Sequence, residues 1–485
     1  MIHMPFDRSG IASLDDPSTP PGRSFARTGQ NPPHLIRART AMRMSPQGTM
    51  MDRWLFYALF ATLSLFQLQI AVPLLAALPI REVLYVYLYA RLFVCYRPLN
   101  SRNRVLLLFL ACAAIIGILT FLLYGPNLGY RGFARFVNCA LIAPLAAEIL
   151  TRERDFRICF WIWICIAFAG CVTLAMQFFG AAIPWLTLVH QSSRGGMTRY
   201  MTLLGEPNIG SMAAVLLLIA MTELARGWLL RCAMAACALV FLTLSLSKAG
   251  LIGAAIAACM LLIRGRSAIK GLIVPIIIIV SIFVVFDAGL LSLGGTNIAQ
   301  IDTYVDVAKA NFVGDADQMP GSVGFIDDLQ FRVFEKPLNS TTLERDERLP
   351  QWFAVLFGGT YGLAGSVATA ERGLVGMDNL PHNSFLELYL VGGAVFLLVF
   401  LVLLVRTGRS LHRYAANHDC LAATVWPAFI VLCAYMFSYP VIYAPVLATW
   451  FWLTVGLSLN TRIVGHRAER CGHSVTPWMT QHRVR

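Results

Sequence analysis

Charge is scarce in this chain: 13% of its 485 residues are Asp, Glu, Lys or Arg, while 57% are hydrophobic. A water-solvated domain cannot bury so large an apolar share, which excludes an ordinary soluble globule as the main body of the fold. Cysteine is absent from residues 260–419, so that stretch folds without disulfides. Of the 12 cysteines, most sit inside apolar runs, as Cys112, Cys139, Cys165, Cys171, Cys237 and Cys259 do. No Cys-x-x-Cys or clustered Cys/His pattern occurs, and a structural metal therefore has little support. The first fifty residues lack the apolar core of a secretory signal. No internal repeat of the kind found in many transporters is visible.

What the chain does have is long apolar runs. They fall at about 54–71, 75–95, 104–124, 132–150, 157–179, 208–225, 228–247, 249–263, 271–290, 384–405, 421–440 and 442–459. Their lengths predict an all-α, polytopic membrane protein with about 12 transmembrane helices. The expected organisation has a disordered cytoplasmic tail over 1–53, rich in Pro, Arg, Ser and Gly, then helices one to nine over 54–290. A large extracytoplasmic loop follows over 291–383, then helices ten to twelve over 384–460 and a cytoplasmic tail over 461–485. Translation from Met1 and translation from Met50 or Met51 both fit this pattern.

The formal net charge of +13 does not indicate a nucleic-acid partner, because the basic residues lie in short clusters between apolar runs rather than along one face. Such clusters orient membrane proteins, since short cytoplasmic connections retain Lys and Arg. One set of connections holds Arg91, Arg97, Arg102, Arg104, Arg152, Arg154, Arg157, Arg226, Arg231, Arg264, Arg266, Lys270, Arg406, Arg409 and Arg413. The alternate set holds only Arg81, Arg131, Arg135, Arg194, Arg199 and Lys248. The bias places both termini in the cytoplasm and the 291–383 loop outside. A basic residue outside has no orientation role, and its plain explanation is a side chain snorkelling to headgroup phosphate.

The large loop is acidic on balance and long enough to be functional. Within it Pro350 and Gly358-Gly359 bound a short amphipathic helix that includes Trp352 and Phe357. Three features converge on the outer side. Arg194 and Arg199 precede Gly205-Glu206-Pro207-Asn208, where Asn208 opens the sixth helix. Ser245-Leu246-Ser247-Lys248 joins helices seven and eight, and Arg345 and Arg348 precede Trp352 while His382-Asn383-Ser384 opens helix ten.

Arginines with a lone histidine at a membrane face suit displacement of a diphosphate from an anomeric carbon by a hydroxyl. A guanidinium binds phosphate oxygens bidentately and stays charged at any working pH, which stabilises the leaving group. A histidine near its ordinary pKa can take the hydroxyl proton. The plain alternative for His382 is a helix-start residue bonded to headgroups.

Taken in order, Arg199 with Gly205 to Asn208, Ser247-Lys248, Arg348 four residues before Trp352, and His382-Asn383 before Gly392-Gly393 resemble the O-antigen ligase and polymerase family. The resemblance spans roughly residues 54–460. It implies a glycosyltransferase of the bacterial inner membrane that takes undecaprenyl-diphosphate-linked oligosaccharide as donor at the periplasmic face and inverts the anomeric carbon. It also implies no cofactor, no metal and no nucleotide sugar. Carried over, Arg199 and Arg348 hold the diphosphate, with Arg194 and Arg345 as close rivals, and His382 is the catalytic base. Asn208, Lys248, Asn383 and Glu387 are supporting residues, although Lys248 departs from the family pattern, where Arg often follows the Ser. Asn383 or Glu387 would orient His382, or Glu387 would pack against a neighbouring helix.

The expected function is therefore a repeat-unit polymerase for O-antigen or exopolysaccharide. The alternative is an O-antigen ligase moving glycan onto lipid A-core, and a polysaccharide flippase is a more distant one. Expected partners are the lipid-linked donor, a glycan acceptor, membrane lipid, and a chain-length regulator and flippase of the same pathway.

Overall fold

The computed structural model describes residues 49–65, 80–95, 104–124, 136–178, 192–194, 197–199, 202–223, 225, 227–245, 247–263, 351–358, 383–416, 420–442 and 444–460. Among these the chain is almost wholly helical, as an all-α fold requires. In chain order the helices are α1 (Met50–Ser64), α2 (Ile80–Cys95), α3 (Arg104–Tyr124), α4 (Ile142–Ile149), α5 (Glu153–Phe178), α6 (Pro207–Glu223), α7 (Trp228–Ser245) and α8 (Lys248–Ile263). They continue with α9 (Gln351–Phe357), α10 (Ser384–Ala416), α11 (Cys420–Tyr435) and α12 (Pro445–Leu459). A short antiparallel ribbon of β1 (Ser192–Arg194) and β2 (Met197–Arg199) is the exception.

Each apolar run named above coincides with one of these helices except 271–290, which lies outside the described residues, as do 1–48, 461–485 and most of 291–383. Helix α9 is the short helix expected inside the loop, and it stops at Gly358, where φ is 78°. Two stretches, Glu153–Gln177 in α5 and Ser384–Ala415 in α10, are long and apolar enough to cross a membrane. Exposed Trp161 and Val172 on α5, Leu398 and Leu401 on α10, and Leu108 and Ile115 on α3 form apolar outer faces that water solvates poorly.

Some boundaries differ from the sequence reading, each for a local reason. Helix α1 begins at Met50, inside the 1–53 segment read as tail, because Thr49 and Asp52 form a capping box. The Asp52 N–H donates to Thr49 Oγ1 and the Thr49 N–H to Asp52 Oδ2, both at 3.1 Å. Helix α11 ends at Tyr435 rather than near 440. Ahead of Pro440 the chain tightens into turns in which Phe437 N–H donates to Ala434 O and Ser438 N–H to Tyr435 O. Helix α10 runs past 405, through Arg406, Arg409 and Arg413, to Ala416.

The bundle has two polar ends. At one, the Arg91 guanidinium grips buried Asp52 with Nε at 3.2 Å and Nη2 at 3.1 Å, joining the end of α2 to the start of α1. Asp155, at the start of α5, accepts from Tyr57 Oη at 3.1 Å and pairs with Arg53 at 3.6 Å. Asn460, after α12, donates to Leu150 O after α4, and Tyr414 near the end of α10 donates to Asn460 O. The other end gathers the starts of α6, α8 and α10 and the end of α11. Among the described residues, α1 and α5 therefore start and α2, α4, α10 and α12 end at the Asp52 end, while α6, α8 and α10 start at the other.

Small residues and aromatics hold the helices together between these ends. A Cβ added to Gly456 of α12 would meet Ala143 O and Ala146 Cβ of α4 at 2.7 Å, and one added to Gly250 of α8 would meet Ser211 Cβ of α6 at 2.4 Å. Absent side chains let these backbones approach, the usual device where lipid supplies no hydrophobic drive between helices. Phe109 stacks on Phe396 at 4.7 Å, with Phe136, Phe400 and Trp452 around it. Stacked and edge-on rings of this kind add about 0.5–1.5 kcal/mol per pair beyond their buried area.

Candidate functional site

The polar end opposite Asp52 is built by three helix starts and one connector. Thr202 and Gly205 form a tight turn, exchanging N–H···O bonds at 2.9 and 3.0 Å, and Gly205 takes a φ of 124° that a side chain would oppose. The turn delivers Glu206 to the first position before α6, where its carbonyl accepts from Ile209 and Gly210 N–H. Pro207 then opens the helix with a preset φ and no N–H to satisfy.

Asn208 is the hub beside this start. Its side-chain Oδ1 accepts from Ser247 Oγ at 3.1 Å, and its carbonyl accepts from Ser211 Oγ at 2.8 Å and from Tyr435 Oη at 2.9 Å. Ser247 in turn caps α8, accepting from Gly250 N–H at 3.3 Å. One hydroxyl thus donates across to α6 and accepts from its own helix, which is the full use of a serine. Lys248 is the first residue of α8.

Asn383 caps α10 in the same way. Its Oδ1 accepts from the N–H groups of Phe385 at 2.9 Å and Leu386 at 3.0 Å, so this oxygen is committed to the helix start. Ser384 fastens that start to the α11–α12 connector: its N–H donates to Met436 O at 2.8 Å and its Oγ to Tyr439 O at 2.9 Å. Glu387, one turn into α10, is 1% exposed and lies inside the bundle.

The connector also reaches α6. Tyr439 Oη donates to Glu206 Oε2 at 3.2 Å, and the Tyr435 and Tyr439 rings lie 5.5 Å apart. Tyr439 is buried in the turn beyond α11 while Glu206 is exposed. Burial, together with the Glu206 carboxylate beside it, holds the Tyr439 hydroxyl well above the ordinary phenol range, so it remains a donor.

Helix α9 docks further along α10, onto a break in it. Gly393 has φ 68° and ψ −169° within the helix, and a Cβ there would sit 2.3 Å from Leu356 C. A Cβ on Gly358 would sit 2.4 Å from Val391 O. Two backbones meet here with no side chain between them, while Trp352 of α9 stays exposed.

Of the residues singled out in the sequence, Asn208, the Ser247-Lys248 turn and Asn383 are brought to one end of the bundle. Arg194 and Arg199 lie in the ribbon, where Arg194 pairs with Met197 and Arg199 with Ser192. Arg345, Arg348 and His382 lie outside the described residues. Ser384 was read only as part of the start of helix ten, and Tyr435 and Tyr439 were not singled out. Their signal in the sequence is a Tyr-x-x-x-Tyr-Pro ending to an apolar run, with two phenols one helical turn apart.

Among the described residues no group of three or more His, Cys, Asp or Glu side chains is arranged to hold a metal ion. No protein-family model matches the chain, and no curated protein matches its sequence.

Proposed function

We propose that the chain is a membrane glycosyltransferase that moves glycan from an undecaprenyl diphosphate carrier to a hydroxyl acceptor on the periplasmic side, as a polymerase of O-antigen or exopolysaccharide repeat units. The observation that carries this reading is the convergence at one bundle end of the Gly205–Asn208 turn, the Ser247-Lys248 turn and the Asn383-Ser384 helix start. These motifs are far apart in the sequence, and the residues proposed for chemistry flank them.

The helix starts at that end supply partial positive charge, beside the carboxylate of Glu206. Helices α6, α8 and α10 all begin there, and each N-terminus carries roughly half a positive charge. Lys248 is the first residue of α8. Arg199 and Arg348, with Arg194 and Arg345 as rivals, add guanidinium groups that stabilise charge as the diphosphate leaves. His382, immediately before the α10 cap, takes the proton of the attacking hydroxyl, the new glycosidic bond forms on the face opposite the breaking bond, and the anomeric centre inverts. The inner membrane, with about 12 spans and both termini cytoplasmic, is the proposed setting.

Deleting the gene tests this directly. Accumulation of single lipid-linked repeat units supports the polymerase. Accumulation of finished lipid-linked polymer assigns the chain to ligation onto lipid A-core instead, and an unchanged lipid-linked pool removes the glycosyltransferase reading.

A further inference from the structure

Tyr439 bonds to both halves of the candidate site. Its hydroxyl holds Glu206 at 3.2 Å, and its carbonyl holds the Ser384 hydroxyl at 2.9 Å. Glu206 belongs to the turn that follows the β2 arginine, and Ser384 to the helix start that follows His382. From this we infer that Tyr439 is a positioning residue for the transfer reaction, fixing the spacing between the α6 start and the α10 start; the inference rests on the function proposed above.

The two bonds are separable, which makes the role distinct from general packing. Phenylalanine keeps the ring, its 5.5 Å contact with Tyr435 and the carbonyl bond to Ser384, and loses only the bond to Glu206. Tyr439 is 7% exposed, so its hydroxyl has little water to fall back on, and burial keeps it a donor. Glu206, by contrast, is exposed, so a carboxylate that would otherwise sample several rotamers is held by one buried phenol. In the proposed mechanism the diphosphate ligand Arg199 precedes the first of these elements in the sequence and the base His382 immediately precedes the second, so the link joins the two helix starts that the reacting groups flank. A misplacement of about 1 Å between reacting groups can lower a rate on the order of 10²-fold.

The test uses the full-length purified protein in lipid vesicles, with lipid-linked repeat units extracted from the cells that carry it as the probe. Tyr439→Phe is expected to lower kcat by about 10- to 100-fold while donor KM stays within about twofold. Glu206→Ala is expected to match it, and Glu206→Gln to keep most activity, because an amide oxygen still accepts the phenol bond. The double variant Tyr439→Phe/Glu206→Ala is expected to be no slower than either single one. Losses that multiply in the double variant, or a Glu206→Gln as slow as Glu206→Ala, overturn the inference.

Hydrogen exchange supplies a readout independent of turnover. The Ile209 and Gly210 amides, bonded to the Glu206 carbonyl, should exchange faster in Tyr439→Phe than in the wild type. Unchanged exchange there contradicts the coupling. Faster exchange in Tyr439→Phe, together with a wild type that transfers no glycan, sinks the proposed function and leaves the coupling standing.

Discussion

A guanidinium presents two parallel N–H groups to a phosphate, whereas an ammonium is a point charge. Replacing Arg199 or Arg348 by Ala should therefore lower transfer by about 10²–10³-fold, with Lys recovering only part of it. Transfer rates of the purified variants at equal protein levels check this, with Arg194→Ala and Arg345→Ala alongside to resolve each pair. Full rates in both Arg199→Ala and Arg348→Ala would leave them as surface charges. At this scale the sequence exposed the polar residues that interrupt apolar runs, including Asn208, Lys248 and Asn383. It did not expose how those residues are used. Asn383 reads as an orienting partner for the histidine, but its side-chain oxygen is taken by two amides of its own helix. The Tyr-x-x-x-Tyr-Pro pattern did not tie Tyr435 and Tyr439 to the site, because their partners, Asn208 and Glu206, lie more than two hundred residues away in the chain.

Helix boundaries here follow caps and breaks more than hydropathy. Asp52 serves twice, capping α1 and receiving the Arg91 guanidinium, and its side chain is fully buried. Removing one partner of a buried pair costs about 3–5 kcal/mol in general, and Arg91, 31% exposed, keeps the loss toward the lower end because water reaches it. Asp52→Ala should accordingly lower the thermal midpoint in detergent, with Thr49→Ala costing about 1 kcal/mol through the cap alone. An unchanged midpoint in Asp52→Ala would contradict the α1–α2 clamp. Gly393→Ala should release α9: a positive φ strains any side chain by about 1–3 kcal/mol, and the new Cβ would overlap the Leu356 backbone. Faster hydrogen exchange over 351–358 in that variant is the expected result, and protection equal to wild type would contradict the docking. The apolar runs foretold most elements, because length and apolarity alone mark a helix of this kind. The capping box at Thr49 and the break at Gly393 were missed, since both depend on single polar or glycine residues inside otherwise helical patterns.

At the scale of the whole molecule, the described helices gather one polar end around Asp52 and another around Asn208. The 15-to-6 distribution of basic residues predicts that the Asp52 end faces the cytoplasm. A reporter active only in the periplasm should then work when fused near residue 330 and fail at 265 or 410. Activity at 410 would reverse the orientation and remove the candidate site from the donor's side. The central claim is that this end transfers glycan with His382 as the base, a role worth about 10²–10⁴ in rate. The most direct measurement is transfer by purified wild type and His382→Ala in vesicles containing the lipid-linked donor, with donor binding followed in parallel. The account predicts that wild type joins glycans, losing activity on acidification because an imidazolium cannot accept a proton, and that His382→Ala binds donor but leaves it unprocessed. Near-normal transfer by His382→Ala would contradict it.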